Sequence, residues 1–131
     1  MRALALVLLL GACAPAAEGD APTPRSLAGT SWAMMLEDGQ QTAPTIEFTD
    51  ASRARGSTGC NQWFAQVDRS NNGMRFEAVG MTRRACDAAA MDIERDFADR
   101  LAQTRAAQVD EDAMTLTGEN GEPVARFVRA P

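Results

Sequence analysis

The chain has 131 residues, no histidine, no tyrosine, and 18 acidic against 13 basic residues, for a formal net charge of −5. That length admits one domain with a modest core. The acidic balance argues against nucleic acid as a partner, because phosphate binding needs a positive surface. Every basic residue is an arginine, a coding bias without functional content.

Residues 1–12 read as an export signal. Arg2 supplies the positive end, and the apolar run Ala3–Leu10 is far shorter than the roughly 20 residues that span a bilayer. Leu10-Gly11-Ala12-Cys13 resembles a bacterial lipobox, so Cys13 is expected to carry a diacylglycerol. Acylation of the new N-terminus after cleavage would complete a stable two- or three-chain anchor. A plain secretory signal cleaved after Ala14-Pro15-Ala16 is the alternative. Cleavage at Cys13 removes Arg2 and makes the chain more acidic by one charge. No aspartate follows Cys13 to act as an inner-membrane retention signal, so the expected location is the cell envelope, at the periplasmic face of the outer membrane. Residues 13–25 have nothing to bury and read as a lipidated tether. The folded domain is expected over 26–131.

Within that domain, Thr30–Leu36 has strand character with Trp32, Met34 and Leu36 on one face. Glu37-Asp38-Gly39-Gln40 reads as a turn. Thr45–Thr49 places Ile46 and Phe48 together, and Arg53–Gly59 begins a strand that breaks at Ser57-Thr58-Gly59. Asn61–Val67 is strand-like. Ser70-Asn71-Asn72-Gly73 is a hairpin turn, since Asn and Gly tolerate positive φ. Met74–Val79 alternates again, with Met74 and Phe76 opposite Arg75 and Glu77. The period then changes: Asp87 to about Gln103 is helical, capped by Asp87, with Met91, Glu94, Phe97, Ala98 and Leu101 on one face. Met91, Phe97 and Leu101 are expected to bury against strands carrying Trp32, Ile46, Phe48 and Phe127, because so short an apolar stripe cannot stand alone. Ala107–Val109, Met114–Thr117 and Val124–Val128 complete the strands, with Glu119-Asn120-Gly121-Glu122 as a second turn. The connections are too short for parallel crossovers, so the class is mainly β (α+β): an antiparallel sheet curled around a core, with one inserted helix.

The chemistry-bearing residues are few. If Cys13 carries lipid, Cys60 and Cys86 remain as a pair in an oxidising compartment, and a disulfide is expected. Its loop of about 26 residues would contribute roughly 3–4 kcal/mol in the chain-entropy model. Two buried free thiols are the alternative. With no histidine, Cys60 lacks the neighbour that makes a nucleophile, and the same holds for Ser57 and Thr58. Two thiols without histidine do not make a zinc site, and the Asp110-Glu111-Asp112 run lacks the spaced ligands of a calcium loop. No metal, no cofactor and no enzymatic activity are expected. Glu94 stands in the apolar stripe and must be paired or protonated there. It is either a buried acceptor for backbone N–H groups or for an arginine, Arg83 first, or a ligand-facing acid, or it reaches water at the stripe's edge. Asn61 joins Glu94 and Arg83 as a candidate buried polar or ligand residue. Trp63 and Phe64 are adjacent in a strand and must face opposite ways. One belongs to the core, and the other is a candidate surface contact.

Three segments together resemble the META/HslJ domain family: Gly56-Ser57-Thr58-Gly59-Cys60-Asn61-Gln62-Trp63-Phe64, Thr82-Arg83-Arg84-Ala85-Cys86, and the helix bearing Glu94, Phe97 and Leu101. Leu27–Trp32, Met114–Leu116 and Arg126-Phe127 fit the same pattern, and the likeness covers about residues 26–129. It implies a small conical antiparallel β-barrel with a helix packed across it, in envelope lipoproteins linked to stress responses without an established enzymatic activity. Arg84 departs from the family's usual methionine and Ala107 from its frequent tyrosine. The resemblance implies a non-enzymatic module that binds another envelope component, a protein or ligand not identified by the sequence. An inhibitor of secreted proteases and a carrier of small apolar ligands are the alternatives. A hollow interior would favour the carrier, and a side-chain-filled one the binding module.

Overall fold

The computed structural model describes residues 26–37 and 42–131. The export signal, Cys13, the tether and most of the Glu37–Gln40 turn lie outside the described residues. The elements run β1 (Thr30–Met34), β2 (Thr45–Asp50), β3 (Arg53–Ser57), β4 (Gln62–Asp68), β5 (Arg75–Met81), α1 (Ala88–Gln103), β6 (Ala106–Asp110), β7 (Ala113–Thr117) and β8 (Pro123–Arg129). β1 stops two residues before the expected Leu36, and Met35 beyond it is exposed.

All eight strands form one antiparallel sheet in the order β5-β4-β3-β2-β1-β8-β7-β6. The long step from β1 to β8 brings the two ends of the domain together. Among the described residues, β5 and β6 are therefore the sheet edges. A single backbone bond ties their starts, from Met74 N–H to Arg105 C=O at 2.8 Å. Among the described residues the architecture is a mainly β antiparallel sheet with one α-helix, and no strand ladder closes it into a barrel.

Alternation explains the sheet's inner face. Trp32, Met34, Ile46, Phe48, Trp63, Ala65, Val67 and Phe76 are buried, while their sequence neighbours face outward or lie at the margin. The turn over Ser70–Asn72 places both Asn71 (φ 54°) and Asn72 (φ 58°) in the left-handed region, which asparagine tolerates better than other side chains.

Helix α1 begins where its cap predicts. The Asp87 side chain accepts from the Ala90 N–H at 2.9 Å. Phe97 and Leu101 are fully buried. The helix packs against β5 and β8, and its nearest aromatic partner is Trp63, whose ring meets that of Phe97 edge-on at 5.5 Å. Met91 differs from expectation: it is only half-buried, because it sits at the helix end where its sulfur meets Cys60 Sγ at 3.9 Å rather than the sheet. At the other end, Arg100 pairs with Asp96 and donates to the Val124 carbonyl, fastening the helix to β8.

Candidate functional site

Two groupings of side chains stand out, one inside the domain and one on its outer face. The inner one is built from the break between β3 and β4. Gly59, at φ 93°, makes the turn, which sets Thr58, Cys60 and Asn61 facing the helix. The Thr58 hydroxyl accepts from the N–H groups of Cys60 (3.2 Å) and Asn61 (2.8 Å), and donates to Glu94 Oε2 at 2.6 Å. Asn61 Nδ2 donates to the same Glu94 oxygen at 2.8 Å and to the Arg84 carbonyl at 3.2 Å. Its Oδ1 accepts from the Thr82 hydroxyl (2.9 Å) and the Arg84 N–H (2.6 Å). A Cys60–Cys86 disulfide, with Cα atoms 6.0 Å apart, closes the group.

Glu94 is thus buried, 8 % exposed, with two donors on one oxygen. Its partner is not Arg83. That side chain is exposed, because the β5–α1 connection turns the Thr82 hydroxyl and the Arg84 backbone, not the Arg83 guanidinium, toward Asn61. Asn61 is the hub of the group: one amide side chain joins the β3–β4 turn, the β5–α1 connection and the helix. Sequence reading grouped Asn61 with Glu94 but missed Thr58 as a partner. The signal was its place in the Ser57-Thr58-Gly59 break, where hydroxyl side chains commonly bond nearby backbone.

On the outer face, β4 presents Phe64, 61 % exposed, while Trp63 is buried with its Nε1–H donated to the Thr45 carbonyl at 3.0 Å. Phe64 stands opposite Arg55 on β3 and Gly80 on β5. The far end of its ring occupies the space where a side chain at residue 80 would begin: an added Cβ would come within 2.4–3.1 Å of Cζ, Cε1 and Cε2. Glycine there lets the ring lie across the sheet. Beside it, two β5 residues, Ala78 and Val79, oppose the single Ala65 of β4, forming a bulge with Ala78 at φ 49°.

These features border an open groove of about 580 Å³, lined by Phe64, Ala78, Thr49, Gln66, Arg53 and Arg55 among others. Arg55 donates twice to Glu47, at 3.0 and 3.1 Å, and Arg53 pairs with Asp50 at 2.9 Å. The Arg55 guanidinium holds the Glu47 carboxyl below its ordinary 4.5, and Glu47 raises the pKa of Arg55 in return. The Ser52 N–H, then its hydroxyl and Arg53, hold Asp50 below 3.8. Among the described residues, no cluster of three or more His, Cys, Asp or Glu is placed to hold a metal.

The order of these segments along the chain matches a known domain: the META domain family model aligns with residues 25–131. The chain belongs to the META domain family. Two solved structures share the fold. One is an NMR structure of a protein from Burkholderia xenovorans, 23% identical, covering 89% of this chain and 97% of its own, with a TM-score of 0.65. The other, also by NMR, is 16% identical, covers 78% of this chain and 90% of its own, and has a TM-score of 0.58. No curated protein matches this META domain chain.

Proposed function

We propose that this META domain is a non-enzymatic binding module, held at the periplasmic face of the outer membrane by lipid on Cys13, and that its partner-binding surface is the outer face around Phe64. The observation that carries this reading is the contrast between the two sides of β4. Inside, Trp32, Trp63, Phe48, Phe97 and Phe127 are buried together in one side-chain core, which supports a binding module over a carrier of apolar ligands. Outside, a large aromatic ring lies exposed at the side of a groove, and such rings serve as anchors in interfaces. The buried Glu94 group, whose donors and acceptors meet one another, is read as structural. Cys60 is read likewise, being disulfide-bonded. In this reading the curled sheet is the conical barrel of the family resemblance, and the Met74–Arg105 bond marks its narrow end.

Two measurements test the proposal. Metabolic labelling with a radioactive fatty acid should mark the wild-type chain and not Cys13→Ser, which should leave the membrane fraction. Unchanged labelling or fractionation would refute the anchor. Loss of the protein should lower envelope stress tolerance, as the reading of a stress-supporting module requires, and Phe64→Ala should fail to restore it while remaining folded. Full rescue by Phe64→Ala would remove this face from the function.

A further inference from the structure

We propose that the groove beside Phe64 binds an uncharged pyranose oligosaccharide, with one sugar ring stacked on the phenyl face. This rests on the reading of that face as the partner surface and supplies the partner's chemistry.

Three observations lead there. The first is the posture of the ring. Gly80 removes the side chain that would otherwise collide with Phe64, so the ring lies along the sheet and offers a face to solvent instead of wedging into a core. A flat, solvent-facing aromatic ring suits the C–H face of a pyranose. The second is charge. Both arginines of the groove are already matched, Arg55 by Glu47 and Arg53 by Asp50, and both carboxyls titrate below their ordinary values. Glu77, opposite Gln66, adds a further acid at the rim, so the groove and its surroundings carry no excess of positive charge at neutral pH and an anionic ligand gains no net attraction there. Yet it is rich in directional groups. Arg53, Arg55 and Gln66 line it, and their N–H groups not bonded to the carboxylates can donate to hydroxyl or acetamido groups. The third is Ala78. A non-glycine residue in the left-handed region is strained, and retained strain gathers at binding sites. Here it sets a methyl group in the groove wall beside the phenyl ring. A groove of about 580 Å³ has the size range of small-molecule sites.

The test is an NMR titration of the isotopically labelled full chain carrying Cys13→Ser. The probes are a β-1,4-linked N-acetylglucosamine tetramer and maltotetraose, with tetragalacturonic acid as the anionic comparison. At least one neutral probe should shift the amides of Phe64, Gln66, Ala78 and Arg55 in a saturable manner, more tightly than the acid. Phe64→Ala should weaken that binding about tenfold or more. Phe64→Trp should keep it, and Phe64→Leu, which keeps apolar area without an aromatic face, should lose it. Absence of saturable shifts with both neutral probes, tighter binding of the acid, or full retention by Phe64→Leu would each overturn the proposal. If the sugars fail while Phe64→Ala still abolishes stress tolerance in cells, the sugar assignment falls and the partner-binding face survives. The partner would then be a protein that docks on the apolar ring.

Discussion

Glu94 and Ala78 each sit in a local environment that costs the fold something, and they make opposite predictions. Glu94 is a buried polar side chain satisfied by Thr58 and Asn61. Removing it strips both donors of their acceptor and opens a cavity, so Glu94→Ala should cost about 2–3 kcal/mol in urea melts. Glu94→Gln keeps an acceptor oxygen and nearly the same volume, and should cost under about 1 kcal/mol. Equal losses for the two would mean that hydrogen bonding is not what Glu94 contributes. Ala78, at φ 49° in the β5 bulge, is the reverse case. Ala78→Gly should stabilise the domain by roughly 0.5–1 kcal/mol, because glycine occupies the left-handed region without the Cβ clash. If Ala78→Gly is neutral or destabilising in the same melts, the bulge is not strained by its alanine.

At the scale of the element, α1 is the clearest case of stability drawn from packing. Phe97 has no exposed surface and meets Trp63 edge-on, whereas Asp99 faces solvent on the same helix. Phe97→Ala should cost roughly 3–5 kcal/mol, and Asp99→Ala close to nothing. Equally harmless substitutions would mean that the helix is not docked. This helix was legible in the sequence because its period, cap and length agree, and Asp87 does cap it. The strands were legible from alternation, as with Ile46 and Phe48. The β5 bulge was not. Alternation continued from Met74 and Phe76 places Ala78 inside, but the extra residue turns it outward, and a bulge leaves no mark on a hydrophobic pattern when its residue is alanine instead of glycine. The partner of Glu94 was equally hidden. A carboxyl group in an apolar stripe announces that it needs donors, and the nearest cation in sequence is the natural guess. Which donors it meets depends on how the β3–β4 turn is presented to the helix, a tertiary fact that put Thr58 and Asn61 where Arg83 was expected.

Around its apolar core the molecule carries a buried polar group at one end and ion pairs on its outer face, and the two respond to different conditions. Glu47, Asp50 and Asp68 all have carboxyls held below their ordinary values, Asp68 chiefly by the Ser70 N–H. A depressed carboxyl stabilises the fold fully above its unfolded value and loses that contribution as pH falls through its folded value. These contributions therefore begin to decline as pH drops past 4.5 for Glu47 and 3.8 for Asp50 and Asp68. Since all three are exposed, the effect on the melting midpoint should be small. The sharper consequence is electrostatic: below that window Arg53 and Arg55 lose their matching charges, and the Phe64 groove becomes positive. Carboxyl ¹³C titration should place the Glu47 and Asp50 midpoints below those of Arg55→Gln and Arg53→Gln, respectively. Midpoints unmoved by either substitution would dissolve the pairing.

The buried end carries the last prediction. The β5–α1 connection is fastened to the sheet covalently by Cys60–Cys86 and non-covalently through three bonds to Asn61, two accepted by its carbonyl and one donated by its amide, and through two bonds between Thr82 and Gln62. A loop of 26 residues between the cysteines implies that the cross-link contributes about 3–4 kcal/mol through the unfolded state, a large share of the total for a domain of this size. The Asn61 bonds act in the folded state and do not depend on oxidation. The double variant Cys60→Ala with Cys86→Ala should therefore lose roughly that amount yet keep its fold, with Phe97 still protected in the core. Asn61→Ala alone should cost about 2–3 kcal/mol, since it also leaves Glu94 one donor short. The triple variant should cross the threshold and unfold at moderate temperature. Hydrogen exchange separates the contributions. Opening of residues 82–90 should accelerate more in the cysteine variant than opening of β7 and β8, because the whole domain loses the global contribution while that connection also loses its covalent fastener. Equal acceleration across the domain would mean that the disulfide acts only on global stability and is not a local fastener of the connection.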